Sequence, residues 1–196
     1  EVEGELSWEG HLNLRRFIEL CKELDMKVHL RFGPYCNAEI KNGGLPDWIV
    51  NNKNLITRSN DPLYLEYTRR WYQAVYDQVK GLLWKDGGPI MALQLENEYV
   101  RPGMIVPHLL NLKKMAVEIG FDVPLYSMTH WMDSEYPKGE IVPYAGFYID
   151  SETVYQANMD SGWNQLLDGL CQKLTNYESS FQKRCAWTNK QAGRNR

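Results

Sequence analysis

The sequence has no apolar run of eighteen residues, so no segment of it is long enough to cross a bilayer as a helix. Its four cysteines (Cys21, Cys36, Cys171 and Cys185) show none of the close Cys/His spacings that a zinc site needs. Cys21 falls on a helical apolar stripe and reads as inert core, while a Cys171–Cys185 disulfide is left open by the sequence. Charge of neither sign dominates: the net charge of −3 argues against nucleic acid as a principal partner. No signal peptide is recognisable, but the chain opens on Glu1 and reads as trimmed at its N-terminus. Internal repeats and low-complexity blocks are missing too. Nothing implies a cofactor or a bound metal.

What is present is an ordinary globular composition, 43% hydrophobic and 24% charged over 196 residues, with seven Trp and twelve Tyr. Such aromatics suit the C–H faces of sugar rings and suit a protein core equally well. HLNLRRFIELCKELDM (His11 to Met26) carries Leu14, Phe17, Ile18, Cys21 and Leu24 at helical spacing. The alternation in Lys27 to Phe32 predicts a strand, stopped by Gly33-Pro34, and a loop rich in Gly, Asn and Pro follows to about Arg58. Ser59-Asn60-Asp61-Pro62 is a helix start, with the helix expected to reach Trp84 and to bury Leu63, Tyr67, Trp71, Ala74 and Val75. A second strand is expected over Ile90 to Glu96, and a helix over Val106 to Ile119 with Gly120 as its cap. Asp122 to Met128 and Glu140 to Tyr144 are further strands. Alternation of this kind predicts an α/β fold with a parallel sheet. From residue 171 six basic residues face one acidic residue. The expected organisation is therefore one domain over 1–170 and a basic, poorly packed tail over 171–196.

The stretch LQLENEYV (Leu93 to Val100) sets two carboxylates and an amide at the end of an apolar strand. Period-two alternation puts Met91, Leu93 and Leu95 on one side and Ala92, Gln94 and Glu96 on the other, with Glu98 continuing the second set. A polar side fits a barrel lumen better than a sheet covered on both faces. The first strand agrees, its matching set being Lys27, His29 and Arg31. Glu96 would then lie inside, paired with Arg31, and Glu98 would emerge at the C-terminal mouth, where barrel enzymes keep their catalytic groups. The competing reading makes both carboxylates part of a structural ion-pair network.

Three stretches, in order and in register, resemble glycoside hydrolase family 35, the β-galactosidase family with a (β/α)8 catalytic barrel. They are RFGPYCNAEIKNGGLPDWIV (Arg31 to Val50), TRSNDPLYLEYTRRWY (Thr57 to Tyr72) and WKDGGPIMALQLENEYV (Trp84 to Val100). The resemblance implies a partial (β/α)8 TIM barrel with parallel strands, spanning about Gly4 to Tyr144. It implies hydrolysis of terminal non-reducing β-D-galactose from β-galactosides by a retaining, two-carboxylate mechanism, in a secreted, periplasmic or lysosomal-type compartment. Glu98 takes the place of the general acid/base, and Asn97 that of the partner of the sugar 2-hydroxyl. Ala38 and Glu39 take the places that contact galactose hydroxyls, with Tyr35 and Cys36 lining the same pocket. The chemistry asks for an acid able to protonate a poor leaving group and, in retaining enzymes, a second carboxylate about 5–5.5 Å away.

That second carboxylate is not assigned. In the family it is a Glu in a Glu-x-Trp-x-Gly-Trp setting, and NMDSGW (Asn158 to Trp163) would put Asn158 there, an amide unable to attack an anomeric carbon. Glu152 and Asp160 are nearby acids without a supporting motif. A (β/α)8 barrel takes about 250 residues, and EVEGELSW matches the loop after the family's second strand. The expectation is a fragment, inactive alone. Other readings are an exo-β-glucosaminidase of the same family, a non-catalytic carbohydrate-binding relic, and Glu39 with Glu98 as the catalytic pair. His130, Trp131 and Tyr144 are weaker pocket candidates, while His11, Trp48 and His108 read as structural.

Overall fold

The structure is a computed structural model and describes residues 2–128, 137 and 140–144. The expected tail, and with it the boundary at 170, lies outside the described residues.

Four helices and four strands carry the fold: α1 (Leu14–Glu23), β1 (Val28–Gly33), α2 (Asp47–Val50), α3 (Pro62–Val79), β2 (Ile90–Asn97), α4 (Ile105–Ile119), β3 (Leu125–Met128) and β4 (Val142–Tyr144). Their ends follow local chemistry. Asn13 Oδ1 accepts from the Arg16 amide at 2.8 Å and starts α1. Asp61 accepts from the amides of Leu63 and Tyr64 and starts α3, with Pro62 in the first turn where a missing N–H costs nothing. Gly120, at φ 121°, closes α4. Its Cβ would lie 2.7 Å from the Tyr76 hydroxyl, so glycine is required there for space as well as for conformation.

All four strands are parallel and lie in chain order β1-β2-β3-β4, with β1 at one end of the sheet. Chain-order parallel strands joined through helices form the ring of a (β/α)8 barrel, and the chain is a partial α/β fold of that kind. Partners in register share a face. Leu30 pairs with Leu93, and Leu93 with Leu125, on the side covered by α1, α3 and α4. There Phe32 stacks on Tyr72 at 4.3 Å and tilts against Phe121 at 5.0 Å, and Ile18, Leu93, Leu95 and Leu112 are fully buried. The opposite face presents His29 and Arg31 beside Ala92, Gln94 and Tyr126.

Three helix expectations are corrected. On α1 only Ile18 and Cys21 are buried, while Phe17 and Leu24 stay 62% and 71% exposed. The buried line of α3 is Tyr64, Thr68, Tyr72, Val75 and Val79, one residue round from the expected Leu63-Tyr67-Trp71 line. Leu63 and Tyr67 pack instead with Leu45, Ile49 and Leu55 of the preceding loop. Trp71 stands at the rim, stacked on Trp8 at 6.0 Å and donating to the Phe32 carbonyl at 2.8 Å. Finally, α3 stops at Val79 rather than Trp84. Lys80 turns extended at ψ 134° and Gly81 takes φ 80°, so Leu82 and Leu83, which prolong the apolar period, form an extended segment bridged to Ile90.

Candidate active site

The apolar strand β2 is buried along its whole length, and its regular pleat ends at Gln94. Gln94 pairs with Tyr126 and Asn97 with Met128, so three steps on β2 match two on β3: one residue is extra. Glu96 is in the left-handed region at φ 54°, and so is Glu98 at φ 49°. For residues with a Cβ that conformation costs about 1–2 kcal/mol each, and its appearance on both sides of Asn97 marks a turn held by its surroundings.

The extra residue breaks the alternation. Glu96 does not join Gln94 on the polar face; it turns toward the helix layer, against His108 of α4, with none of its surface exposed. Asn97 takes over the Gln94 side, and Gln94 Nε2 donates to Asn97 Oδ1 at 3.0 Å and to the Glu96 carbonyl at 2.9 Å. With Oδ1 engaged, the Asn97 side chain offers Nδ2 as a donor. Glu98 follows, half-buried, at the C-terminal end of the strand.

The partner of Glu96 is Arg58, not the expected Arg31. Arg58 Nε and Nη2 donate to Glu96 Oε2 at 3.1 and 2.7 Å, and Nη2 also donates to the Asn97 carbonyl at 2.6 Å. Arg31 pairs in register with Gln94 on the opposite face and donates to the Cys36 carbonyl at 3.1 Å. His108, expected to be unremarkable, is wholly buried. Its Nδ1 lies 3.1 Å from Asn60 Oδ1 and its Nε2 3.7 Å from Glu96 Oε1. Arg58 and His108 are the residues that sequence reasoning missed. A buried carboxylate at Glu96 signalled the need for a cation, but counting parity through the bulge aimed it at the wrong face.

The loop after β1 supplies the rest. The Gly33–Pro34 peptide is cis. Tyr35 is half-buried, its ring 3.8 Å beneath the Arg58 guanidinium, so the loop touches the Glu96 network directly. Gly43 makes room for it: a Cβ there would fall 2.0 Å from the Tyr35 ring, and φ is 62°. Asn37, Ala38 and Glu39 are successive left-handed residues at 58°, 52° and 50°, and Ala38 and Glu39 are exposed. Cys36 is half-buried, and burial pushes its thiol pKa up. Cys36 also lines a cavity of ≈360 Å³ walled by Leu45, Trp48, Ile49, Tyr64 and Trp71. That cavity is mainly apolar, with Thr68 and Arg70 also in its lining, and takes in neither Asn97 nor Glu98. Burial likewise raises the pKa of Tyr64 and of Tyr99, whose hydroxyl donates to the Arg58 carbonyl at 2.7 Å.

Glu152, Asn158, Asp160, His130, Trp131, Cys171 and Cys185 lie outside the described residues, as does the side chain of Tyr144. Cys21 and Cys36 are free thiols. Among the described residues no group of three or more His, Cys, Asp or Glu is placed to hold a metal, and no helix is long and apolar enough to cross a membrane.

A parallel sheet backed by helices, with a carboxylate and an amide at the C-terminal end of a strand, is the class of arrangement found in (β/α)8 barrel enzymes, which keep their functional groups at that end. The particular family follows from comparison with known proteins. The model of glycosyl hydrolases family 35 matches residues 1–191, and the chain belongs to that family. It is 37% identical to Beta-galactosidase 17 of Arabidopsis thaliana over 147 residues, 74% of this chain and 21% of that protein. It is 42% identical to Beta-galactosidase of Bos taurus over 96 residues, 49% of this chain and 15% of that protein. With Beta-galactosidase of Homo sapiens the identity is 38% over 96 residues, 49% of this chain and 14% of that protein. These alignments thus take in about a fifth or less of the length of the relatives.

Proposed function

We propose that this chain carries the acid/base side of a retaining β-galactosidase site. Glu98 protonates the departing glycosidic oxygen as the bond to the anomeric carbon breaks, then takes a proton from the water that releases the sugar. Asn97 donates from Nδ2 to the 2-hydroxyl, and Tyr35, Cys36, Ala38 and Glu39 line the galactose pocket. One observation supports this reading above the others: a left-handed turn at the end of a buried strand sets the buried Asn97 amide next to the half-buried Glu98 at the strand's C-terminal end, with Glu96 diverted to the helix layer. That division supports Glu98, rather than Glu96, as the carboxylate that does chemistry. Glu96 has one oxygen, Oε2, held by Arg58 and the Asn97 amide behind the sheet, and Glu98 serves the reaction. The nucleophile is left unassigned.

The test is release of glucose from lactose, whose sugar leaving group needs a proton. The chain and its Glu98→Gln variant are compared with and without azide, an external nucleophile that attacks the anomeric carbon in place of a carboxylate. The chain alone is expected to be slow, azide to raise the rate and yield α-galactosyl azide, and Glu98→Gln to lower the rate roughly 10²- to 10⁴-fold. Equal rates for the two proteins under both conditions would end the reading. Galactose binding without turnover under either condition would support a binding relic in its place.

A further inference from the structure

We propose that Arg58 is a positioning residue for this reaction, setting where the Glu98 carboxyl stands by clamping the turn that carries it; the inference rests on the acid/base role of Glu98. Backbone conformation does not favour the turn, and beyond the bonds from Gln94 within its own strand it is gripped from outside by Arg58. Glu96 and Glu98 both occupy the left-handed region that side chains disfavour, with Asn97 between them. One guanidinium grips two points of that turn at once, the Glu96 carboxylate through Nε and Nη2 and the Asn97 carbonyl through Nη2. That carbonyl belongs to the peptide leading into Glu98, so the grip acts on the orientation of the acid/base residue itself. The carboxylate passes the grip on, because Glu96 Oε2 also accepts from the Asn97 amide at 3.1 Å.

The clamp is itself anchored on both sides. Tyr99, one residue beyond Glu98, donates its hydroxyl to the Arg58 carbonyl at 2.7 Å, so the turn and Arg58 hold each other reciprocally. The Tyr35 ring lies 3.8 Å from the guanidinium carbon and that of Tyr99 5.4 Å, which fixes the plane of the fork. Arg58 is left-handed as well, at φ 51°. The arrangement ties the loop bearing Tyr35, in the proposed galactose pocket, to the turn bearing the proton donor. Lysine cannot reproduce it: a point charge lacks the planar fork needed to span a carboxylate and a carbonyl together.

The decisive variant is Arg58→Lys in the full chain, studied at a temperature where circular dichroism shows it fully folded, so that lost stability alone changes nothing. Two readouts are taken. The backbone amide resonances of Asn97 and Glu98 are expected to shift while those of Leu93 and Leu112 stay in place. In the lactose assay with azide, kcat is expected to fall roughly ten- to a hundredfold with KM little changed, the cost of a misplaced reacting group. Unmoved Asn97 and Glu98 resonances in folded Arg58→Lys overturn the clamp, whether or not the chain turns over. So does an unchanged kcat. Should Arg58→Lys not fold, Tyr99→Phe replaces it, removing only the hydroxyl that holds the Arg58 carbonyl, with the same two readouts and smaller expected changes. Failure of the functional reading looks different: the resonances shift as expected while Glu98→Gln hydrolyses lactose as well as the parent.

Discussion

Removing the Arg58 guanidinium while keeping an unbranched apolar stem, by Arg58→Met, tests how much the buried pair matters. Glu96 Oε2 now accepts three N–H groups and would keep only the Asn97 amide at 3.1 Å. Its other oxygen faces His108 Nε2 at 3.7 Å, too far for a hydrogen bond. A carboxylate with no exposed surface would be left nearly unpaired, which costs about 3–5 kcal/mol. Arg58 keeps 23% of its side chain in solvent, so the lower part of that range applies. With a urea m-value of about 1–3 kcal/mol/M, the midpoint of unfolding followed by Trp fluorescence should drop by roughly 1 M or more. Arg16→Met is the matched control. Arg16 approaches Glu23 at the same 2.7 Å, but the two side chains are 51% and 58% exposed. Its midpoint should stay within measurement error, since water and salt screen such a pair. Arg58→Met with Glu96→Met should recover part of the loss, because no orphaned charge remains. Equal midpoint shifts for Arg58→Met and Arg16→Met would refute the reasoning that burial, not distance, sets the cost.

Gly43→Ala should destabilise by more than the about 1–2 kcal/mol that a left-handed alanine costs, because its Cβ would lie 2.0 Å from a Tyr35 ring pinned under Arg58; urea unfolding measures it, and a cost within that range would mean the ring moves freely. Cys36 should alkylate with iodoacetamide at pH 7.5 far more slowly than a small free thiol, burial having raised its pKa and so reduced its thiolate fraction. Peptide mapping by mass spectrometry follows it, the rate should climb as pH rises, and a rate matching the small thiol would contradict the prediction.

The α/β order, the parallel sheet and the cap at Asp61 were legible because they are written in local signals: helical and strand periods, Pro-containing caps, Gly stops. What escaped depended on contacts between distant segments. The buried face of α3 misled because Thr68 and Tyr64 do not look apolar. Thr68 is accommodated by donating its hydroxyl to the Tyr64 carbonyl at 2.8 Å, and the preceding loop covers the Leu63–Tyr67 flank. Glu96 misled for a sharper reason. Alternation assumes every residue advances the pleat, and one left-handed residue suspends it, so the inferred partner on the opposite face was wrong. Nothing local in Glu96-Asn97-Glu98 announces that bulge, and the role proposed for Glu98 comes from family resemblance, not from pattern.

The position of β1 has a practical bearing on handling. As the terminal strand of the described sheet it leaves half of its main-chain donors and acceptors without a neighbouring strand among the described residues, and Phe17 of α1 and Leu24 just past its end sit in solvent. Such a margin is adhesive: a second molecule can dock its own β1 there and shield both greasy helices at once. Pairing of two copies through this margin would show as a molar mass that rises with concentration in light scattering of the folded chain, and a mass independent of concentration would show the margin covered.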